Sequence, residues 1–196
     1  LGGIKVCRIH DLVHEFCVAK AKEENFLQIF HGDELLTFTG LCKPPSPRLS
    51  IFPTTSGGPI KSRLFFPNLR CLLFFDCYYG QLDGSSLKFL LSKLLRVLDL
   101  GKVVFWYFPR EVLFLVHLRY LRIQLESKEI PSAIANLSRL ETFAVGGRIC
   151  SFLLPYSIWY IKTLKHLVVF PSYGRGFEFP MFNLKGSPDL EHLETL

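Results

Sequence analysis

At 196 residues and 49% hydrophobic content, the chain is long enough for one or two folded domains and too apolar for disorder to be the default. Its formal charge of +6 is uneven: residues 1–47 hold five Lys/Arg against six Asp/Glu, and residues 48–196 hold eighteen against eleven. No run of five like charges concentrates that excess, which makes it a weak clue to an anionic partner, and no apolar run reaches the roughly 18–20 residues that span a bilayer.

The chain opens with Leu1 rather than Met, and no apolar stretch with a small-residue cleavage site follows Lys5 and Arg8. A fragment of a longer protein, with no signal peptide in view, is the expectation. Ile4 and Val6 alternate with Lys5 and Cys7, as a short strand would. Next, Ile9, Leu12, Val13, Phe16 and Ala19 recur at the spacing of one helix face, and Asp11 is placed to cap that helix by accepting orphan N–H groups. A second short helical segment is expected over Glu23 to Phe30.

The same opening stretch reads KVCRIHDLVHEFC, which sets Cys7, His10, His14 and Cys17 in the pattern C-x₂-H-x₃-H-x₂-C. In one continuous helix Cys7 and Cys17 would lie about 15 Å apart, too far for zinc bonds of about 2.0–2.3 Å. A helix beginning at Asp11 would let Cys7 and His10 fold back, so spacing alone does not forbid a site. Paired C-x-x-C knuckles are nevertheless absent, and ordinary core cysteines are preferred to a metal. The six cysteines (Cys7, Cys17, Cys42, Cys71, Cys77 and Cys150) show no disulfide framework and read as free, mostly buried thiols of a reducing compartment.

Residues 40–59, GLCKPPSPRLSIFPTTSGGP, carry five prolines and three glycines around one β-like run, Arg48 to Phe52. A domain boundary is placed near Pro44 to Pro47. From there the pattern L-x-x-L-x-L, with Phe, Ile or Val allowed, occurs at Leu69-Leu72-Phe74, Leu95-Leu98-Leu100, Leu118-Leu121-Ile123, Leu140-Phe143-Val145 and Leu164-Leu167-Val169. The starting leucines are 26, 23, 22 and 24 residues apart, within the leucine-rich-repeat range of about 20–29. Leu190 and Leu193 suggest a further, incomplete unit.

Each repeat has a second apolar arm: Phe108-Pro109 with Val112 and Leu115, Ile130-Pro131 with Ile134 and Leu137, and Leu154-Pro155 with Ile158 and Ile161. Those prolines are 22 and 24 residues apart, in step with the leucines. The expected fold is an α/β, irregular leucine-rich-repeat solenoid, or horseshoe, preceded by a short α-helical segment. Strand alternation turns Val97, Asp99, Tyr120, Arg122, Thr142, Ala144, His166 and Val168 to a concave face suited to protein contact.

Motifs for covalent or nucleotide chemistry are missing. There is no G-x-S-x-G elbow and no phosphate loop: Gly57-Gly58 runs into Pro59, and Gly146-Gly147 is expected in a repeat turn. DNA binding is disfavoured because Asp11, Glu15, Glu23 and Glu24 outweigh Lys20 and Lys22 on the first helix.

The segment C-R-I-H-D-L-V-H-E-F-C followed by K-A-K-E-E-N-F-L, and then the irregular repeats, resembles plant intracellular immune receptors of the nucleotide-binding, leucine-rich-repeat class. The likeness is strongest to the coiled-coil type of nightshade plants, the late-blight-resistance-like proteins. It implies that residues 1–43 end a winged-helix subdomain of the nucleotide-binding module and that 44–196 are an incomplete repeat domain. It also implies that Ile9, His10 and Asp11 are the MHD-like motif, with Ile in place of Met. His10 would approach the β-phosphate of bound ADP and Asp11 would hold the local turn.

ADP or ATP is expected in the full-length protein only, with none held by the isolated fragment, which would not be an enzyme. The implied partners are a pathogen effector or host guard protein and, within the receptor, the nucleotide-binding module. No nucleic acid is expected; the implied location is cytoplasmic, with peripheral membrane association of the full-length protein admitted. Two other readings stand beside this one. Asp11 as a plain cap and His10 as a satisfied neighbour need no nucleotide, and Glu129-Ile130-Pro131 with the sequon Asn136-Leu137-Ser138 suits an extracellular leucine-rich-repeat receptor.

Overall fold

The computed structural model describes residues 9–31, 46–52, 66–75, 92–147 and 152–171. The strand expected at Ile4 and Val6, the boundary residues Pro44 and Pro45, the incomplete unit at Leu190 and Leu193, and Cys7, Cys42, Cys77 and Cys150 lie outside them.

One helix, α1 (Asp11–Glu23), comes first, followed by seven strands: β1 (Gln28–His31), β2 (Arg48–Phe52), β3 (Cys71–Phe74), β4 (Val97–Phe105), β5 (Tyr120–Leu125), β6 (Thr142–Gly147) and β7 (His166–Pro171). They form a single sheet in which every pair is parallel and spatial order follows chain order. Parallel neighbours need a crossover between them, and here each crossover advances the chain by one strand.

The described crossovers show what the second apolar arm builds. Residues Arg110–Phe114, Ser132–Asn136 and Tyr156–Tyr160 are short 3-10 helices, each preceded by its proline, whose φ of −68°, −67° or −70° fits a helix start. The proline carbonyl accepts from the residue three on: Val112, Ile134 and Ile158 donate at 3.2, 3.0 and 3.0 Å. The chain then turns by the same device into the next strand, with Leu118 donating to Leu115, Leu140 to Leu137 and Leu164 to Ile161. Identical local chemistry at each step makes the backbone repeat.

The leucine pattern lies where these units need it. Leu98, Leu100, Leu121, Ile123, Phe143, Val145 and Leu167 are fully buried on one sheet face, against Val112, Ile134 and Ile158 of the covering arms. Burying a Leu or Val side chain is worth about 1.5–3 kcal/mol, and no single unit encloses its own. The apolar row therefore ties neighbouring units into one core.

Three sequence expectations are corrected. The segment Glu23 to Phe30 is not helical, since α1 stops at Glu23. Phe26 N–H donates to Ala21 O and Asn25 N–H to Lys22 O, with Asn25 at φ 48°, a Schellman termination in which Asn takes the left-handed position. Beyond it Ile29 and Phe30 extend as β1, because pairing with Ser50 and Ile51 and burial of Phe30 outweigh local helix preference. The sheet thus begins at Gln28, ahead of residue 44.

The helix cap is His10 rather than Asp11: His10 has extended dihedrals and its Nδ1 accepts from Leu12 N–H at 3.3 Å, while Asp11 is the first helical residue. There its carboxylate still favours the positive end of the helix. Finally, Gly146 and Gly147 are not in a turn. They end β6, paired with Phe170 and Pro171 of β7.

Candidate recognition face and amino-terminal motif

The face of the sheet opposite the leucine core collects the residues expected from alternation. Register aligns Val97, Tyr120, Thr142 and His166 in one row across β4 to β7, and Asp99, Arg122, Ala144 and Val168 in the next. Seven of these eight are half-buried and Ala144 is buried, whereas the core leucines beside them are fully enclosed. Tyr120, Arg122, Thr142, Ala144, His166, Val168 and Phe170 line an open hollow of about 370 Å³.

Arg122 is the centre of this face. Its guanidinium lies 3.8 Å from Asp99 Oδ2 and 4.5 Å over the Phe170 ring centroid, a cation–π placement. Asp99 is fixed in turn, because its Oδ1 accepts from Gly101 N–H at 2.9 Å. Two glycines supply the room. A methyl on Gly101 would lie 2.5 Å from Arg122 Nε, and one on Gly146 would fall within the Phe170 ring, 2.6 Å from both Cδ2 and Cζ. The arginine stem crosses a bare backbone at one end and its aromatic platform lies on a bare backbone at the other.

Burial raises the Tyr120 phenol above its ordinary pKa; the Asp99 carboxylate adds to that rise and Arg122 opposes it. Burial also raises the Cys71 thiol, with Arg48 opposing and Asp99 adding. Neither group is primed as a nucleophile by such surroundings.

Phe170 was not among the residues expected from sequence. The repeat pattern ends at Val169, but one more step of the same alternation past Val168 reaches it. A further aromatic row, His31, Phe52 and Phe75, stacks along β1, β2 and the end of β3 with centroids 5.0 and 4.7 Å apart.

Ile9, His10 and Asp11 all lie exposed at the start of α1. With Nδ1 accepting from Leu12, Nε2 is the ring nitrogen left to donate. The apolar stripe of α1 is not buried either: Ile9, Leu12, Val13 and Phe16 are exposed, and α1 packs against no other described element. Cys17 is exposed and Cys71 half-buried, so the expectation of buried thiols fails for Cys17. It sits on a helix that nothing described covers. Among the described residues, no three His, Cys, Asp or Glu side chains are grouped as metal ligands, and no helix is long and apolar enough to cross a membrane.

Strands in chain order, a recurring proline-led arm and an ordered polar face define an α/β protein of repeated strand–arm units. No family model matches the chain. Over its whole length it is 33% identical to late blight resistance protein R1-A of Solanum demissum and 32% identical to a late blight resistance protein homologue, R1B-14, of the same species. The chain belongs to this late-blight-resistance-like family. It spans only 16% and 15% of those two relatives.

Proposed function

We propose that the chain is the junction and recognition segment of an intracellular plant immune receptor. Its repeats form the first part of a leucine-rich-repeat horseshoe whose open face binds a pathogen protein or a modified host protein. The work is binding and population shift between receptor states, with no bond made or broken in this segment. Residues 1–43 end the nucleotide-binding module and 44–196 carry the repeats, with β1 of the earlier segment joined to the repeat sheet. The receptor acts in the cytoplasm, and the repeats also hold the closed state against the nucleotide-binding module.

The observation that carries the recognition reading is the register of the open face. Four strands place tyrosine, arginine, threonine and histidine side chains in two aligned rows above a closed leucine core. Such a face is carried on a continuous parallel ladder and is mixed in chemistry and half-buried, which suits selective protein contact. Disease-resistance relatives along the whole chain support the same reading.

The MHD-like residues Ile9, His10 and Asp11 sense bound ADP in the full-length receptor. The Nε2–H of exposed His10 is a suitable donor to a phosphate oxygen, and capping by its own Nδ1 holds the ring that presents it. Asp11 adds a carboxylate at the first turn of α1. In a full-length receptor carrying this segment, Asp11→Val therefore loosens the closed state and gives signalling in leaf tissue without pathogen. A response identical to the unaltered receptor overturns the switch assignment.

A further inference from the structure

We infer that Arg122 is the anchor of the open face and that it takes an acidic side chain, Asp or Glu, of the partner protein. This rests on the recognition reading above and specifies its chemistry.

Three constraints aim the guanidinium before any partner arrives: the bare backbone of Gly101 under its stem, Phe170 under its plane and Asp99 beside it. Its rotamer entropy is thus largely spent on folding, which favours binding by preorganisation. Among the described residues Asp99 is the one anion at the guanidinium, and 3.8 Å is beyond hydrogen-bond length. Asp99 Oδ1 is meanwhile engaged by Gly101 N–H. A planar fork of N–H donors is therefore oriented at the edge of a hollow whose walls are largely the apolar faces of Ala144, Val168 and Phe170.

That combination selects a monoanionic, planar acceptor on a short stem. A carboxylate takes two parallel N–H bonds from arginine, and the one or two methylenes of Asp or Glu fit against the apolar wall. A phosphate group is matched less well, since it carries about two charges and one arginine already shadowed by Asp99 faces it. Tyr120 and Thr142 line the same hollow, and their hydroxyls are the groups that could complete the acceptor's remaining bonds.

The test is selection of a randomised twelve-residue peptide library on the complete chain, repeated on Arg122→Gln, Arg122→Lys and Thr142→Trp, with folding of each checked by circular dichroism. Peptides whose binding is blocked by Thr142→Trp report the open face. Among these, the expected result is enrichment of Asp or Glu, binding weakened about tenfold or more by Arg122→Gln, and a partial loss with Arg122→Lys, which keeps the charge without the fork. Face-binding peptides without acidic enrichment, or ones that bind Arg122→Gln unchanged, overturn the assignment of Arg122 while leaving the recognition face intact. Absence of any peptide sensitive to Thr142→Trp overturns both. Should Arg122→Gln fail to fold, Arg122→Lys and the composition of the selected peptides decide the matter.

Discussion

Gly146 and Gly147 are adjacent, both end β6, and neither is held at positive φ, yet the structure gives them opposite responses to the same added methyl. At Gly147 the new Cβ would press into the carbonyl oxygen of Leu125, a backbone atom of β5, and would lie 2.9 Å from Cζ of Phe152. Backbone held in a parallel ladder cannot turn aside, so strands β5 and β6 must part locally. Overpacking of this kind costs about 1–3 kcal/mol.

At Gly146 the obstacle is the Phe170 ring, the far end of a side chain over a half-exposed face. The ring can swing away, losing its cation–π contact with Arg122, worth about 0.5–1 kcal/mol. Replacing a strand glycine returns a similar amount, about 0.5–1 kcal/mol, through the unfolded chain. The net change is near zero. Urea unfolding followed by circular dichroism separates the two: the same glycine return leaves Gly147→Ala a net loss of roughly 0.5–2 kcal/mol, so with a slope of about 2 kcal/mol per molar its midpoint falls by about 0.25–1 M, and Gly146→Ala leaves it within about 0.25 M. Equal losses for both, or a neutral Gly147→Ala, would refute the placement of these glycines and with it the register of β6.

Two solution properties follow from the same geometry. Because burial and Asp99 hold the Tyr120 phenol above its ordinary value, the stability this lends is complete below the unfolded tyrosine pKa of about 10 and is lost as pH rises through the higher folded value. Ultraviolet titration should show Tyr120 ionising late, earlier in Asp99→Asn and later still in Arg122→Gln; shifts of the opposite sign would contradict the contacts drawn around it. Thiol labelling near neutral pH should modify exposed Cys17 quickly and the half-buried, raised Cys71 slowly, and equal rates would count against the burial of β3.

The repeat was legible in the sequence because it rests on strictly local rules applied over and over. Core burial demands an apolar residue at every second strand position and a proline suits each described arm start, so the described pattern residues between Leu69 and Val169 fell where periodicity set them. The open face was legible for the same reason, and Phe170 was missed only where the leucine pattern ended before the strand did. Around α1 the rules conflict. Glu23 to Phe30 contains helix-forming and strand-forming residues together, and only the availability of β2 as a neighbour decides for β1. Capping by His10 rather than Asp11 turned on one dihedral, which spacing does not encode. The Asp99–Arg122–Phe170 cluster joins three strands across two glycine gaps, a relation that appears only once the register is known.

We propose that the open face of β4 to β7 recognises a protein while α1 reports the receptor's state. It is tested most directly in a full-length receptor by measuring cell death in leaves for Tyr120→Ala with Arg122→Gln, alone and combined with Asp11→Val. The face variant should no longer respond to the pathogen, yet signal constitutively when Asp11→Val is added, which would show it folded and competent. An undiminished pathogen response from the face variant, or silence from the combined receptor where Asp11→Val alone signals, would contradict it.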